Sequence, residues 1–389
     1  MTQRERYHDF ITNQNPDNIP MWGDWIGPYS RWITEGLPPQ PPEYAEGKKG
    51  CRGSYLMDYF GSEIICSAYW GTSRLPVSLG IGPAFEYKVL EQNDDHMIYQ
   101  NGDGMILKEM THKKSSLVTQ QYLDHALHGP SDWEDFKNNH LDPDYPRYPD
   151  DETWNAIVSE CKNRDFVVTV DAGSFYGIMR NWMTVEDISI VMYEEPDWVL
   201  EASNYLADFY IKILERAVRD VPDIDAAVFW EDMCFKNGPL CSPDMFRRFF
   251  LPGYKKVTKF LRDNGVSSFW VDCDGNIELL IDLWIEGGVN GFYPLEVASG
   301  MDALKLKKKY GDRVLLWGGV DKRELRDGPE AIEAELARRI PAAKMGGYIP
   351  LVDHGVPEDI SFDNYVYYDK RRKELLGLKP LPTNNKRNF

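Results

Sequence analysis

The chain has 389 residues, of which 42% are hydrophobic and 13% aromatic, so it can bury a large core and a disordered chain is excluded. Its formal net charge of −18 repels phosphate backbones and anionic lipids, which excludes nucleic acid as an expected partner. No apolar run reaches the ~20 residues that cross a bilayer, and the first residues lack the apolar stretch of a signal peptide, so we expect a cytoplasmic protein without a membrane partner.

The first half of the sequence predicts one strand, an inserted hairpin and connecting segments. Residues 18–27 read as a first barrel strand, and residues 38–50, rich in Pro, Glu and Gly, predict a surface loop. Strand-like runs flank the turn sequence NGDG in residues 84–110, so we predict a β-hairpin insertion there. Residues 129–152 are dense in Pro, Asp and Tyr and predict another loop, followed by a helix over 152–163.

The second half alternates short β-branched or aromatic runs with amphipathic helices, such as the helix predicted over 243–265. The predicted strands cover residues 166–175, 227–233, 267–275, 289–296, 314–321 and 346–354. This alternation is typical of βα units around a parallel sheet. We therefore predict an α/β fold, a TIM-type (β/α)8 barrel that forms a single domain over residues 1–389.

Acidic residues follow most of the predicted strands. In a parallel barrel the carboxyl ends of the strands converge on one face, where the active site lies. The residues at these ends are Asp24, Asp171, Glu231, Asp232, Asp272, Asp274, Glu296, Asp321, Asp353 and His354. Because like charges raise one another's pKa, so many carboxylates need a cation or shared protons. Each acid also has a structural alternative, since an acid after a strand often caps the next helix.

Asp272 and Asp274 are the two acids of this set whose spacing gives the most specific prediction. Residues two apart in a strand point to the same side, so both carboxylates are expected to face the barrel mouth. His354 ends the last predicted strand and adds an imidazole. Two carboxylates and an imidazole are an acceptable ligand set for Zn²⁺ or another divalent ion. The alternative for His354 is a hydrogen-bonded histidine that packs the barrel end.

Aromatic and basic residues also follow the predicted strands. Trp22 and Trp25 accompany the first strand, and Phe175 and Tyr176 accompany a later one. They fit either the wall of a pocket for a flat ligand or an aromatic barrel rim. Lys322 begins the basic pair that directly follows a strand, and it fits either a substrate carboxylate or a helix cap.

Several sequence blocks resemble the uroporphyrinogen decarboxylase superfamily, which includes the corrinoid-dependent methyltransferases. The blocks are DAGSFYGIMRNWM, EDMCFKNGPLCSPDMFRRFFLPGYKKV, VDCDGNIELLIDLWIEGGVNGFYPLE, LLWGGVDKREL and VDHGVPEDISFDNY, within about residues 160 to 378. The resemblance implies the barrel fold. Decarboxylase members bind porphyrinogen carboxylates with an Arg-rich RQAGR segment, whereas this chain has WIGPYSRW there, with Arg31 as its one arginine. This difference speaks against porphyrinogen decarboxylation.

The methyltransferase branch of the superfamily implies a metal site. Its members bind zinc through a His-x-Cys pair in the VDCDGN block and a Cys in the VDHGVP block, and this chain has Asp272, Asp274 and His354 at those positions. The resemblance thus implies a divalent metal, zinc first, on harder ligands that suit polarisation of an ether or alcohol oxygen. We predict a methyltransferase that demethylates a methoxylated or methylated small molecule and passes the methyl group to a Co(I) corrinoid (cobalamin) on a partner protein.

Site roles follow from this prediction. Glu231 or Glu296 is a further metal ligand or the acid that protonates the leaving group, and Asp171 is a further candidate catalytic acid. Residues expected to contact the substrate are Trp22, Asp24, Trp25, Phe175, Tyr176 and Lys322.

Two alternatives stay open. One is a metal-free decarboxylase (a lyase), in which Asp24 or Asp171 protonates a carbanion and Arg31 or Arg180 holds the substrate carboxylate. The other is a non-catalytic barrel that binds a ligand or a protein partner.

Overall fold

The first described elements are helical. The computed structural model describes residues 1–42, 52–63, 74–111 and 120–378, so residues 43–50 of the predicted loop lie outside it. Helix α1 begins with a capping box, in which Thr2 and Glu5 each satisfy the other's backbone N–H. The helices are α1 (Gln3–Asn13), α2 (Tyr29–Thr34) and α3 (Arg52–Phe60).

An antiparallel sheet follows these helices. Its four strands are hydrogen-bonded in chain order. The strands are β1 (Lys88–Gln92), β2 (His96–Gln100), β3 (Ile106–Met110) and β4 (Gln121–Asp124). Tyr99, Met105 and Leu107 form a small hydrophobic cluster of its own under this sheet. The hairpin predicted over residues 84–110 covers only β1 to β3, whereas β4 pairs with β3 from beyond that range.

Two helices lie between the antiparallel sheet and the parallel sheet, α4 (Pro130–His140) and α5 (Asp151–Cys161). The predicted loop over 129–152 is therefore wrong for its first half. Pro130 occupies the first turn of α4, a position where a missing N–H costs nothing, and Trp133 and Phe136 bury one face of the helix. The helix predicted over 152–163 is confirmed as α5.

The remaining strands of the described chain include the parallel sheet. They are β5 (Thr169–Gly173), β6 (Ala226–Trp230), β7 (Cys234–Phe235), β8 (Gly238–Pro239), β9 (Ser268–Asp272), β10 (Gly291–Tyr293), β11 (Leu315–Val320) and β12 (Tyr348–Val352). All except the short pair β7 and β8 form one six-stranded parallel sheet in the order β12-β11-β10-β9-β6-β5. The strands predicted in the second half are confirmed, and the protein has an α/β fold.

Helices connect these parallel strands. They are α6 (Tyr176–Trp182), α7 (Val185–Glu194), α8 (Pro196–Asp220), α9 (Pro243–Phe249), α10 (Leu251–Asp263), α11 (Ile281–Glu286), α12 (Ala303–Tyr310), α13 (Lys322–Arg326), α14 (Pro329–Ala343) and α15 (Phe362–Leu375). The single helix predicted over 243–265 is two helices, because Pro252 has no N–H and its ring clashes with the carbonyl four residues earlier. Within the described residues, no helix is both long enough and apolar enough to span a membrane.

The predicted first strand, residues 18–27, is not a regular strand. It makes only isolated parallel bridges, Trp22 to Glu63 and Ile26 to Val356. Pairing with β12 is interrupted because the backbone N–H of Val352 donates to a carboxylate oxygen of Asp24 (2.7 Å). A further parallel bridge joins Arg74 to Thr169 of β5 at the other edge of the sheet.

Candidate active site

A layer of aromatic side chains lies beneath the carboxyl ends of the strands. Ring centroids are 5.3 Å apart for Trp22 and Trp317, 5.9 Å for Trp22 and Trp270, and 4.2 Å for Tyr293 and Trp317. Trp22 is 1% exposed, so it belongs to the core and not to a substrate-facing wall as predicted. Because Asp272 is two residues beyond Trp270 on β9, its side chain points to the same side, one level above this aromatic layer.

Acidic side chains converge above the aromatic layer. We call this group the acidic cluster; it consists of Asp232, Asp272, Asp274, Glu296 and Asp353. The parallel register sets Asp272 beside Trp230 of β6 and beside Tyr293 of β10. Burial raises the pKa of Asp274 to about 7, and the nearby carboxylates of Asp232 and Glu296 act in the same direction. The strand-end carboxylates are therefore close enough for one to raise the pKa of another.

Lys322 supplies a positive charge inside the acidic cluster. Its Nζ lies 3.6 Å from Asp353 Oδ1 and 3.8 Å from Glu296 Oε1. Asp353 also accepts hydrogen bonds from the backbone N–H groups of Lys322 (3.1 Å) and Val297 (2.9 Å). Burial raises the pKa of Asp353, and the Lys322 ammonium opposes that rise. The Lys322 ammonium is thus a cation among the strand-end carboxylates, which the sequence predicted to need one.

His354 borders the acidic cluster on its open side. Its Nε2 lies 3.6 Å from Asp274 Oδ2, and the two side chains are 41% and 36% exposed. Trp25, which is 42% exposed, packs edge-on against the His354 ring with centroids 5.5 Å apart. Partial burial and the charge of Lys322 lower the pKa of His354, which favours the neutral imidazole. Asp274, His354 and Trp25 form the accessible rim of the site.

The three predicted zinc ligands do not form a metal site in this arrangement. Asp274 and His354 lie 3.6 Å apart, and the third predicted ligand is Asp272. Its carboxyl is hydrogen-bonded to the Tyr293 side chain, and burial together with the carboxylates of Asp232 and Asp274 raises its pKa well above the usual value. In the described ranges, no group of three or more His, Cys, Asp or Glu side chains is arranged to hold a metal ion. The donor set therefore does not fit the predicted ion.

Glu231, predicted as a catalytic acid, anchors a helix instead. Its Oε1 accepts from the backbone N–H of Phe175 (2.8 Å) and from the Tyr254 hydroxyl, and its Oε2 accepts from the backbone N–H of Gly177 (2.8 Å). Burial raises the pKa of Glu231 to about 7, and these donors oppose the rise. Phe175 packs in the core against Phe229 and Tyr254, so it does not line a substrate pocket.

Other strand-end acids are occupied by structural partners. Asp171 binds Arg74 (Oδ2 to guanidinium nitrogen, 2.7 Å) and accepts from the backbone of Gly173. Asp24 accepts from Val352 and from the Tyr365 hydroxyl (3.1 Å). The sequence predicted that these acids take part in the site at the barrel mouth. In the structure their carboxylate oxygens instead bind neighbouring elements of the fold.

Sequence reasoning assigned no role to two residues at the mouth, Trp230 and Asp232, although Asp232 was among the predicted strand-end acids. The Arg180 guanidinium carbon lies 5.6 Å from the centroid of the Trp230 ring. Burial raises the pKa of Asp232, and the charge of Arg180 opposes that rise. Tyr176, predicted to stack on a substrate, is buried one turn before Arg180 on α6. The spacing of residues 176 and 180 on one helix face was the signal available in the sequence.

Comparisons with known proteins identify the family. Residues 153–374 match the family model described as Uroporphyrinogen decarboxylase (URO-D), and the chain therefore belongs to this family. The resemblance drawn from the sequence is confirmed. A search of curated proteins finds no match.

Solved structures give the fold comparison. A methyltransferase from Methanosarcina mazei has a similar structure, with a TM-score of 0.60 and 16% sequence identity, over 96% of this chain and 99% of that chain. A B12-independent methionine synthase from a Shewanella species, in complex with selenomethionine, has a TM-score of 0.35 and 12% identity, over 57% of this chain and 68% of that chain.

Proposed function

We propose that this chain is a methyltransferase that moves a methyl group from a methylated small molecule to a corrinoid carried by a partner protein. Membership in the URO-D family supports an enzyme, and the fold shared with the methyltransferase from Methanosarcina mazei over nearly all of both chains supports this branch. The observation that carries the proposal is the acidic cluster with Lys322 and His354 at the carboxyl ends of the parallel strands.

We further infer that the parallel sheet is the larger part of a closed (β/α)8 barrel. The bridge from Ile26 to Val356 continues the sheet beyond β12, and the bridge from Trp22 to Glu63 adds a second extended segment. On the other edge, the bridge from Arg74 to Thr169 continues the sheet beyond β5. Closure through these segments gathers all strand ends around one mouth, which is where barrel enzymes carry their active sites.

The reaction needs a proton at the leaving atom. A reduced corrinoid supplies the nucleophile for the methyl carbon. When the bond between methyl carbon and oxygen breaks, its electron pair stays on the oxygen, and a proton from the enzyme completes the alcohol or phenol. Asp274 is the member of the acidic cluster at the accessible rim, 3.6 Å from His354, so we assign it the role of proton donor. We infer that Lys322 and bound protons balance the charge of the cluster in this role.

The decarboxylase alternative has less support from the geometry. Arg31 is bound to Glu35 (Nε to Oε1, 2.6 Å) and donates to the backbone carbonyl of Glu358 (2.7 Å). Asp171 is bound to Arg74. Two of the residues that a lyase of this kind would use are therefore engaged within the fold.

Methyl transfer is testable with free cob(I)alamin as acceptor. We expect the cob(I)alamin spectrum to change to that of the methylated form when the protein is mixed with one class of oxygen-linked donor among methanol, methoxylated aromatics and methoxylated aliphatic acids. Asp274→Asn should lower the rate by about 10²-fold or more, because a general acid contributes ~10²–10⁴-fold. Asp282→Asn is the matched control, since Asp282 is 61% exposed on the helix that follows the same strand. No methylation with any donor, together with CO₂ release from a carboxylated substrate, would favour the lyase.

The charge balance is tested by metal analysis. We expect purified protein to hold less than stoichiometric zinc, and we expect a chelator to leave the methylation rate unchanged. A stoichiometric metal that is lost in both Asp274→Ala and His354→Ala would show that these residues rearrange into a ligand set, and it would contradict the metal-free site.

A further inference from the structure

Helix α6 carries a second polar group beside the acidic cluster. Tyr176 and Arg180 lie one turn apart and share a face of the helix. Within the described chain, neither the Tyr176 hydroxyl nor Arg180 Nε has a hydrogen-bond partner, although both atoms are buried. A buried donor without an acceptor costs about 1–3 kcal/mol, so two such donors on one face indicate an acceptor that the fold itself does not supply.

Arg180 differs from other arginines of the described structure. Arg74, Arg164 and Arg339 each bind a carboxylate, those of Asp171, Asp225 and Glu335. Arg180, by contrast, makes no ion pair with any residue that the structure describes. Its guanidinium instead lies over the Trp230 ring at 5.6 Å, a cation–π arrangement that holds the planar group in one orientation. An oriented guanidinium with free donors is suited to bidentate binding of a carboxylate.

Arg180 lies close to the acidic cluster that contains the proposed proton donor. Trp230 ends β6, and Asp232 follows two residues later. An Asp232 carboxylate oxygen accepts from the backbone N–H of Asp274 at 3.3 Å. Arg180 and Asp274 therefore both lie near Asp232, which places an anion-binding group close to the proton donor.

We propose that Arg180 and Tyr176 bind a carboxylate of the methyl donor, so that the donor is a methylated carboxylic acid. Arg180, which is only partly buried, offers the outer donors, and the Tyr176 hydroxyl offers the inner donor. Trp230 supports the guanidinium. A singly charged carboxylate suits the site better than a phosphate, because the adjacent acidic cluster repels each added negative charge. The donor role rests on the proposed methyl transfer, whereas carboxylate binding does not.

Binding measurements test this inference without turnover. The probes are 4-methoxybenzoate and methoxyacetate, each compared with its uncharged amide by calorimetric titration of the whole protein. We expect at least one carboxylate to bind tenfold or more tightly than its amide. Arg180→Met should remove that preference, and Arg180→Lys should keep only part of it. Arg219→Met, at a 67% exposed arginine of α8, is the control that should leave binding unchanged.

Tyr176→Phe separates a binding role from a structural role. Because the hydroxyl has no partner within the described residues, we expect its removal to leave the melting temperature unchanged or higher and to weaken carboxylate binding several-fold. A lower melting temperature with unchanged carboxylate affinity would mean that the hydroxyl is satisfied inside the fold, and it would overturn the role of Tyr176.

The two proposals fail in different ways. If neither carboxylate binds more tightly than its amide, the anion site is overturned while methyl transfer from an uncharged donor can still be observed. If carboxylates bind through Arg180 but no donor methylates cob(I)alamin, the methyltransferase proposal fails and the anion site stands. Full-rate methyl transfer from a carboxylated donor in Arg180→Met would also overturn the anion site.

Discussion

Lys322 brings a positive charge to the carboxylates for which the sequence led us to expect a cation. Its ammonium lies between Asp353, which is 1% exposed on its side chain, and Glu296. A buried carboxylate that loses its counter-charge must find another cation or bind a proton. Loss of the Lys322 charge should therefore leave the acidic cluster to bind either a metal ion or an additional proton.

Replacement of Lys322 should create metal affinity. In Lys322→Gln the acidic cluster keeps its oxygen ligands and loses its ammonium, so we expect a divalent ion to raise the melting temperature of the variant more than that of the wild type. Thermal unfolding with and without Zn²⁺ or Mn²⁺ measures the difference. Lys305→Gln is the control, because Lys305 is 60% exposed and pairs with Glu278 on the surface. Equal stabilisation of all three proteins would contradict the assigned role of Lys322.

The sequence located only part of the site. Asp272 is the last residue of β9 and Asp274 follows it by two residues, and the carboxylate of Asp274 is close enough to raise the pKa of Asp272. Five residues with an assigned site role lie at the cluster, namely Asp272, Asp274, Glu296, Lys322 and His354, and the strand-end acids Asp232 and Asp353 join them. Position after a strand did not reveal that Glu231 turns toward α6, because that depends on which N–H groups the next helix presents.

At the scale of elements, helix α6 is fixed to the end of β6 by the Glu231 carboxylate. The same contact brings the two backbones so close that Gly177 has no room for a side chain. A Cβ at Gly177 would lie 2.2 Å from the backbone oxygen of Glu231, well inside contact distance. The position of α6, and with it Tyr176 and Arg180, depends on this close approach.

Gly177→Ala should therefore destabilise the protein. Alanine favours a helix over glycine by about 1 kcal/mol, but the clash with a backbone atom outweighs that gain, and we expect a net loss of about 2–4 kcal/mol in the free energy of unfolding. Urea unfolding measures it. The matched control is Gly80→Ala, since a Cβ there meets no atom within 4 Å and should change little. Equal stability of the two variants would refute the packing argument.

Element boundaries were predictable only where local signals agree. The six strands of the parallel sheet have β-branched runs between helices, and all six were predicted, whereas the short pair β7 and β8 was not. Helix α4 was missed because Pro130 and the acidic residues around it resemble a loop, although Pro suits a first helical turn. The split at Pro252 was missed because the apolar spacing continues through α9 and α10. The spacing of apolar residues does not show that a proline lacks the N–H that a continuous helix needs.

At the scale of the molecule, the last helix ties the first segment to the last strand. Arg372 of α15 is fully buried and donates to Asp369 (3.0 Å) and toward the backbone carbonyl of Trp22 (3.4 Å). Asp24 binds Val352 of β12 and Tyr365 of α15. Side chains from the two ends of the described chain thus share one buried polar network.

Arg372→Met should destabilise the protein by about 3 kcal/mol near pH 8, since removal of one partner leaves buried charges uncompensated. Burial raises the pKa of Asp24 to about 6, and Arg372 opposes that rise. Stability from a raised carboxyl pKa is present below the unfolded value and is lost as pH rises through the folded value. Without Arg372 the pKa of Asp24 rises further, so the deficit should be larger at pH 8 than at pH 5.

Urea unfolding at the two pH values measures this dependence. Arg371→Met is the matched control, because Arg371 is next to Arg372 in sequence but its side chain is 31% exposed. It pairs with Glu333, and such a partly exposed ion pair is worth ~1 kcal/mol or less. A deficit in Arg372→Met that is independent of pH would contradict the coupling to Asp24.

The whole fold was predictable in its second half and less so in its first. The family match covers residues 153–374, and the predicted βα order holds there. Residues 18–27 pair through isolated bridges because Asp24 takes the backbone N–H of Val352, a contact between residues 328 positions apart. The sheet β1 to β4 extends past the predicted hairpin because β4 joins it after an intervening segment. Both depend on long-range pairing that no local pattern contains.

The acidic cluster and the net charge of −18 also govern how a ligand arrives. A negatively charged donor must approach a negatively charged mouth before it reaches Arg180. Dissolved salt screens that repulsion over roughly 10 Å at 0.1 M. Association of a carboxylated donor should therefore become faster as ionic strength rises, the reverse of the usual behaviour of electrostatically steered enzymes.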